Sequence, residues 1–335
     1  MPTLHSPAAP SRFAALLAPF ALCLAVGCGD TAQENNGDGG GGVTTNNSTQ
    51  NCPAGQSYDS ITKECYTPNT GNNGTGNNNN PPVDPCSDES KFVYAVDATE
   101  GSYSLLKFNP TTSAFEDLGA LSCPTGNPQA SPFSMSVDRD ARAWVLYSDG
   151  NIYIVDTETL GCTKSAFQPN QRGIGLFGMG FVLDAEKTDI LHIAGGQNVN
   201  STANATLASV GSNSLMVNPI GQLNGWPELT GTALGDLWAF FPGGGRPRVS
   251  RISRTDGSEG TSYSVTGIDG QPNAWAFAAW GGDFYLFYKS QTDPSSRVFK
   301  VETDDGSVTE VEQNSGYYIV GAGVSTCAPT TEIPL

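Results

Sequence analysis

Residues 274–307 read AWAFAAWGGDFYLFYKSQTDPSSRVFKVETDDGS, and this stretch contains the first three strands of one structural unit and the turn that leads to its polar edge. A strand of small and aromatic residues (AWAFAA) precedes a fully apolar strand (FYLF), a strand with a lysine among apolar residues (VFKV) and a polar turn (ETDDGS). A continuous apolar run is typical of a strand buried on both faces, whereas alternation is typical of a strand with one exposed face. The unit therefore resembles a small sheet that becomes more polar from one edge to the other.

The apolar strand recurs along the chain. The first residues of the five copies are separated by 51, 47, 47 and 47 positions, and a more polar strand and a turn follow each copy. A fixed period of this size is typical of repeat architectures such as propellers. The five copies are residues 92–95 (FVYA), 143–146 (AWVL), 190–193 (ILHI), 237–240 (LWAF) and 284–287 (FYLF).

The two ends of the repeat region complete each other. A strand of small residues precedes every apolar copy except the first, while one extra strand of this type, residues 318–324, has no apolar copy after it. We therefore predict an all-β fold, a five-bladed β-propeller of four-stranded antiparallel blades, closed by the C-terminal strand joining the N-terminal blade. A β-sandwich and a propeller of six or seven blades are the alternatives, and the constant spacing and the chain length favour five blades.

The N-terminus has the layout of an export signal. Arg12 precedes the apolar run FAALLAPFALCLAV at residues 13–26, which is shorter than the roughly 20 residues that a membrane-spanning helix needs. LAVGC at residues 24–28 resembles the lipobox of bacterial lipoproteins, and this resemblance implies a signal peptide at residues 1–28 and a lipid on Cys28 that attaches the chain to a membrane. Ordinary cleavage after Gly27, with Cys28 unpaired, is the alternative.

The rest of the chain divides by composition. Residues 29–85 are dominated by Asn, Gly, Thr and Pro, which predicts a disordered tether, interrupted by a small loop between Cys52 and Cys65. The propeller is expected at residues 86–328 and a tail at residues 329–335.

Six cysteines remain after the signal peptide and Cys28 are set aside, and an even number in an exported chain predicts disulfides. Zinc is disfavoured because the chain has no C-x-x-C pair and no histidine near these cysteines. The first two of these cysteines are isolated between polar linkers and are expected to pair with each other. Closure of the ring brings together the first and last cysteines of the propeller. The remaining two lie on the adjacent first and second blades and form the third pair. The predicted bonds are Cys52–Cys65, Cys86–Cys327 and Cys123–Cys162.

Charge and residue types restrict the chemistry. The chain has 16 Lys and Arg against 33 Asp and Glu, a net charge of −17, which excludes nucleic acid as a partner. His192 lies in an apolar strand and is expected to be structural, and the inner strands offer small neutral residues with Glu228 and Asp138 near strand ends only. We therefore predict no catalytic residue, no metal and no cofactor. Three aromatic residues near strand ends are candidates to face a sugar or a peptide, with structural packing as the favoured alternative: Trp226, Trp275 and Trp280.

The chain as a whole resembles the predicted lipoproteins of myxobacteria, through its lipobox, its Asn/Gly-rich tether and stretches such as AWAFAAWGGDFYLF and YYIVGAGVSTCAP. The resemblance implies a lipid-anchored propeller in the bacterial cell envelope, and no established activity comes with it. Gly29 after Cys28 favours the outer membrane, with the propeller in the periplasm or on the surface. We also expect a monomer. The expected function is a binding or scaffold module whose partner is a polysaccharide or an envelope protein. The alternative is an extracellular glycan hydrolase or lyase that uses loop carboxylates.

Overall fold

The computed structural model of the protein describes residues 57–58, 65–66, 86–199, 203–243 and 245–333. Within these residues it confirms the predicted all-β fold, because five four-stranded antiparallel sheets form the blades of a β-propeller. The signal peptide, Cys28 and Cys52 lie outside the described residues, so the lipid, the disordered tether and the Cys52–Cys65 bond stay predictions. In the tether, β1 (Ser57–Tyr58) and β2 (Cys65–Tyr66) pair as antiparallel strands.

The strands of each blade are numbered in chain order. The first blade contains β3 (Val93–Asp97), β4 (Ser104–Asn109) and β5 (Ala114–Ala120). The second contains β6 (Pro132–Val137), β7 (Arg142–Tyr147), β8 (Ile152–Asp156) and β9 (Cys162–Lys164). The third contains β10 (Leu176–Leu183), β11 (Asp189–Gly196), β12 (Ala205–Val210) and β13 (Val217–Leu223).

The remaining strands follow the same pattern. The fourth blade contains β14 (Glu228–Gly231), β15 (Leu237–Phe241), β16 (Arg248–Ile252) and β17 (Glu259–Ser264). The fifth contains β18 (Pro272–Trp280), β19 (Asp283–Ser290), β20 (Arg297–Val301) and β21 (Val308–Glu312), and the last strand is β22 (Ile319–Gly323). The described residues also include the short 3-10 helices Asp88–Lys91, Thr99–Gly101 and Gln171–Gly173. No helix among the described residues is long and apolar enough to cross a membrane.

The ring closes as the repeat predicts. β22 pairs antiparallel with β3, with Ala322 opposite Ala95 and Gly323 opposite Tyr94, and so becomes the innermost strand of the first blade. The innermost strands β22, β6, β10, β14 and β18 each contact the next one, and β18 contacts β22. Chain ends that share one blade leave the inner edge of β3 paired, which removes an open sheet edge.

Two of the predicted disulfides are confirmed. Cys86 is bonded to Cys327, which joins the residues before the first blade to those after β22. Cys123 is bonded to Cys162, which joins the end of the first blade to the outer strand of the second.

The apolar core lies between the blades. Five clusters of buried residues each fill the space between two neighbouring blades. The alternate residues of β15 show how this arises, because Phe241 packs toward the third blade and Phe240 packs toward the fifth. The second strand of each repeat is therefore apolar on both faces, which accounts for the continuous apolar run in the sequence.

Glycine allows the innermost strands to approach each other closely. A Cβ atom at Gly231 of β14 would overlap the carbonyl oxygen of Phe181 in β10. Since that neighbour is backbone, it has no rotamer with which to move away. The small residues of the inner strands are therefore a condition for packing five blades around one axis.

Candidate functional site

The innermost strands give the propeller two distinct ends. Gly178 and Gly180 in β10 lie against Glu228 and Thr230 in β14, in the same order along both strands. The inner strands therefore run in one direction along the axis. We call the end at which they begin the top face and the end at which they finish the bottom face.

A cavity of about 400 Å³ opens at the top face, on the axis. Four half-buried aromatic side chains line it, Tyr103, Phe133, Trp275 and Tyr318. Glu228 also lines it, together with Asn273 from the fifth blade. Since a concave site with aromatic walls and few polar groups is typical of ligand pockets, this cavity is the candidate binding site.

Glu228 extends across the axis. The hydroxyl of Ser134 in the second blade donates a 2.8 Å hydrogen bond to its Oε2, although the third blade separates that blade from Glu228 in the fourth. The backbone N–H of Met179 in the third blade donates to the same carboxyl group. A Cβ atom at Gly178 would lie 3.0 Å from Oε2, so glycine leaves room for the side chain. Three blades therefore hold one carboxyl group beneath the cavity.

Burial favours the neutral form of the Glu228 carboxyl. It is 3% exposed, and burial raises its pKa well above the usual glutamate value, although the hydrogen bonds from Ser134 and Met179 act in the opposite direction. No cationic side chain of the described residues forms an ion pair with it. Burial without a countercharge favours the protonated acid.

Glu228 is expected to make stability depend on pH. The folded protein keeps a proton that the unfolded chain loses above about pH 4.3, so the free energy of unfolding falls by about 1.4 kcal/mol per pH unit until the folded pKa is reached. Glu228→Gln removes this contribution, so the variant gains stability relative to the native protein as pH rises. Urea unfolding of both proteins between pH 4 and 8 measures the difference, and a difference that stays constant over this range contradicts the assignment.

The bottom end of the axis is crossed by the residues that follow β22. The hydroxyl of Thr326 donates a 2.6 Å hydrogen bond to Asp189 Oδ1 in the third blade, although this segment leaves the first blade. Farther along, the backbone N–H of Gly281 in the fifth blade donates to the carbonyl of Pro329 at 2.8 Å. The Cys86–Cys327 bond fixes the segment between these contacts. The axial site is therefore approached from the top face.

A larger cavity, about 540 Å³, lies at the bottom face between the fourth and fifth blades. Its lining includes the carboxylates of Asp236, Asp283, Asp304 and Glu332, and two of these are ion-paired, Asp236 with Arg251 and Asp283 with Lys300. It lies away from Glu228, and no group of three or more potential metal ligands occurs anywhere in the described residues. We therefore take the axial cavity as the candidate site.

The three tryptophans differ in their surroundings. Trp226 and Trp280 are 3% and 1% exposed; Trp226 packs beside Gly196, and the indole N–H of Trp280 donates to the carbonyl of Lys91 at 3.0 Å. Trp275 lines the axial cavity, and its indole N–H is buried without a hydrogen-bond partner among the described residues. Of the three, Trp275 is therefore the one that a ligand at the axis would meet.

The other polar residues singled out by sequence have structural surroundings. His192 is buried in β11, and burial lowers its pKa to about 4. Asp138 accepts hydrogen bonds from the side chains of Arg142 and Trp144 at the bottom face. Glu228 differs from the expectation of small neutral residues along the axis, because its long side chain reaches inward from the first position of β14.

Comparison with known proteins finds only distant similarity. No protein-family model matches the chain, and no curated protein matches it. Among solved structures, TolB from Acinetobacter baumannii is 14% identical with a TM-score of 0.42, over 68% of this chain and 54% of that one. A nidogen/laminin complex (12% identical, TM-score 0.43) and a protein of unknown function from Bacteroides caccae (9%, 0.40) each cover 69% of this chain and 97% of theirs. These values are too low to support an argument about function.

Proposed function

We propose that the protein is a lipid-anchored propeller of the bacterial cell envelope that binds a polysaccharide in the axial cavity. The observation that carries this proposal is the convergence of four aromatic side chains on one cavity at the top face. Aromatic rings offer flat apolar surfaces with polar edges, which suit the faces of sugar rings. The cavity volume of about 400 Å³ lies in the range of small-ligand sites and accommodates the terminal unit of a chain.

The anchor and the location rest on separate support. LAVGC at residues 24–28 has the form of a lipobox, and the long polar segment after it would hold the propeller away from a membrane. The two disulfides of the propeller are typical of proteins that fold in an oxidising compartment. We place the protein at the outer membrane, as a monomer.

Hydrolysis of a glycan is the second candidate function. The raised pKa of Glu228 is what a general acid requires. Most glycoside hydrolases, however, need a second carboxylate about 5 to 9.5 Å from the first, and Glu228 is the one carboxylate among the described residues that line the cavity. The geometry therefore favours binding over turnover.

Binding is tested with the full-length protein in detergent against a panel of oligosaccharides. Trp275→Ala is expected to weaken binding about tenfold or more, because it removes one aromatic wall of the cavity. Leu234→Ala is the control, because this residue is 74% exposed at the bottom face and its loss should leave affinity unchanged. Retention of full affinity in Trp275→Ala argues against the site, product formation favours the hydrolase, and capture of an envelope protein instead of a sugar argues against the polysaccharide.

The anchor is tested by replacing its cysteine. Cys28→Ala is expected to move the protein from the membrane fraction to the soluble fraction, because the lipid is attached to this sulfur. Cys23→Ala is the matched control, since Cys23 lies within the apolar part of the signal and is removed with it. Unchanged partitioning of Cys28→Ala between the two fractions would refute the anchor, and sedimentation with inner-membrane vesicles would refute the outer-membrane location.

A further inference from the structure

We infer that the axial cavity recognises an organic cation, a protonated amine or an ammonium group, whose charge is balanced by the Glu228 carboxylate. This inference rests on the proposed binding function and names the chemical group that would be bound. It follows from three features of the cavity: the hydrogen bonds made to Glu228, the missing countercharge, and the aromatic walls.

The hydrogen bonds made to Glu228 favour its ionised form. Ser134 donates from its hydroxyl and Met179 from its backbone N–H, so two donors from two blades converge on the carboxyl oxygens. Donors arranged in this way stabilise the negative form of an acid. The two donors therefore stabilise a negative charge on Glu228, which burial alone would disfavour.

The described part of the chain offers no positive partner for that charge. Among residues 86–199, 203–243 and 245–333, no Lys or Arg is ion-paired with Glu228, and none lines the axial cavity. Buried carboxylates in proteins are normally paired. A cation that enters from the top face would supply the missing partner.

The walls of the cavity suit a cation. A cation is attracted to the face of an aromatic ring, most strongly to tryptophan, when both are shielded from water. Trp275, Tyr103, Phe133 and Tyr318 surround the cavity, and Glu228 forms its floor. An acid beneath a ring of aromatic side chains is a combination that distinguishes an ammonium group from a neutral ligand. The net charge of −17 also attracts cations over longer distances.

The other charged groups near the site belong to the first and fifth blades. The elements packed on Glu228, β6 and β10, contribute the uncharged Ser134, Gly178 and Met179. On the first blade, Asp97 accepts the backbone N–H of Tyr318. On the fifth, the Nζ of Lys289 lies 5.7 Å from the centroid of the Tyr318 ring and donates to backbone carbonyls.

Protons balance in the binding step. Burial favours the protonated form of the Glu228 carboxyl in the empty protein; on binding of the cation, that proton is released to solvent, and an N–H of the ligand donates to the resulting carboxylate. No bond to carbon forms or breaks. The affinity for a cation is therefore expected to rise with pH until Glu228 is ionised in the empty protein as well, and binding is expected to release about one proton per site below that pH.

The experiment compares two oligosaccharides that differ in charge. A glucosamine tetramer carries amines, and its fully N-acetylated counterpart is neutral. Titration calorimetry at pH 6 with the full-length protein, in two buffers of different ionisation enthalpy, gives affinity and proton release together. We expect the amine form to bind about tenfold more tightly or better, with proton release. Glu228→Gln should abolish this preference and the proton release, and should leave the affinity for the acetylated form unchanged.

Several results decide the matter. If the native protein binds both tetramers with equal affinity and Trp275→Ala loses this binding, recognition of a cation is refuted. The polysaccharide site would then remain supported. A preference without proton release overturns the role of Glu228, and this readout needs no variant. A lysine peptide and its acetyl-lysine form distinguish the source of the amine: binding of the lysine peptide alone supports the cation and refutes the polysaccharide. If the protein binds none of the four probes, recognition of a cation is refuted.

Discussion

Replacement of Cys86 and Cys327 by serine is expected to lower the free energy of unfolding by about 5 kcal/mol. The bond closes a loop with a sequence separation of 241, so its loss returns much conformational freedom to the unfolded chain. The segment that it fixes also carries the contacts of Thr326 and Pro329 at the bottom face. Unfolding in denaturant, followed by tryptophan fluorescence, measures the change.

The second disulfide is the matched control for this prediction. Cys123 and Cys162 are separated by 39 positions, and their replacement by serine is expected to cost about 4 kcal/mol, because the cost grows with the logarithm of loop length. The closure bond should therefore matter more. A smaller loss for the Cys86 and Cys327 pair than for this control would show that closure of the ring does not depend on the bond.

Trp280→Ala is expected to lower the free energy of unfolding by about 4 kcal/mol, in the range for large buried aromatic residues. Trp280 is 1% exposed and packs in the cluster between the first and fifth blades. Its indole N–H also donates a hydrogen bond to the carbonyl of Lys91, so the substitution leaves a cavity and removes this hydrogen bond. Thermal and denaturant unfolding measure the loss.

Two further variants make this result specific. Trp280→Phe keeps an aromatic ring and should cost about half as much, mainly through the lost hydrogen bond and a smaller cavity. Leu234→Ala, at a residue that is 74% exposed and lines the same bottom-face cavity, should change stability by less than about 0.5 kcal/mol. If Trp280→Ala is as mild as Leu234→Ala, the ring is not part of the core.

The blades follow from local pattern, and the sequence therefore predicts them well. A second strand such as FYLF at residues 284–287 is apolar on both faces because both faces meet neighbouring blades, and this requirement repeats with the same spacing in every blade. Ring closure is also visible, since the strand at residues 318–324 has no blade of its own and the first blade lacks an inner strand. The pairing of Cys86 with Cys327 follows from that closure.

The site depends on contacts that no local pattern records. Ser134 and Glu228 are 94 positions apart and meet only because the second and fourth blades face each other across the axis. Trp280 lies at a strand end, as many ligand-facing residues do, but the segment around Lys91 covers it. The one local signal for Glu228 was an acid at the start of a strand whose neighbours at the axis are glycine and serine.

The pairing of the C-terminal strand β22 with the N-terminal strand β3 sets an order of assembly. As a polypeptide emerges from the ribosome or through a membrane, β3 appears among the first strands of the propeller, whereas its inner partner β22 appears after all the others. Until then the inner edge of the first blade has unpaired backbone groups, which other chains can bind. The first blade is therefore the last to be completed. A chain that stops before residue 319 would lack β22, and the inner edge of β3 in the first blade would stay unpaired and open to association with other chains.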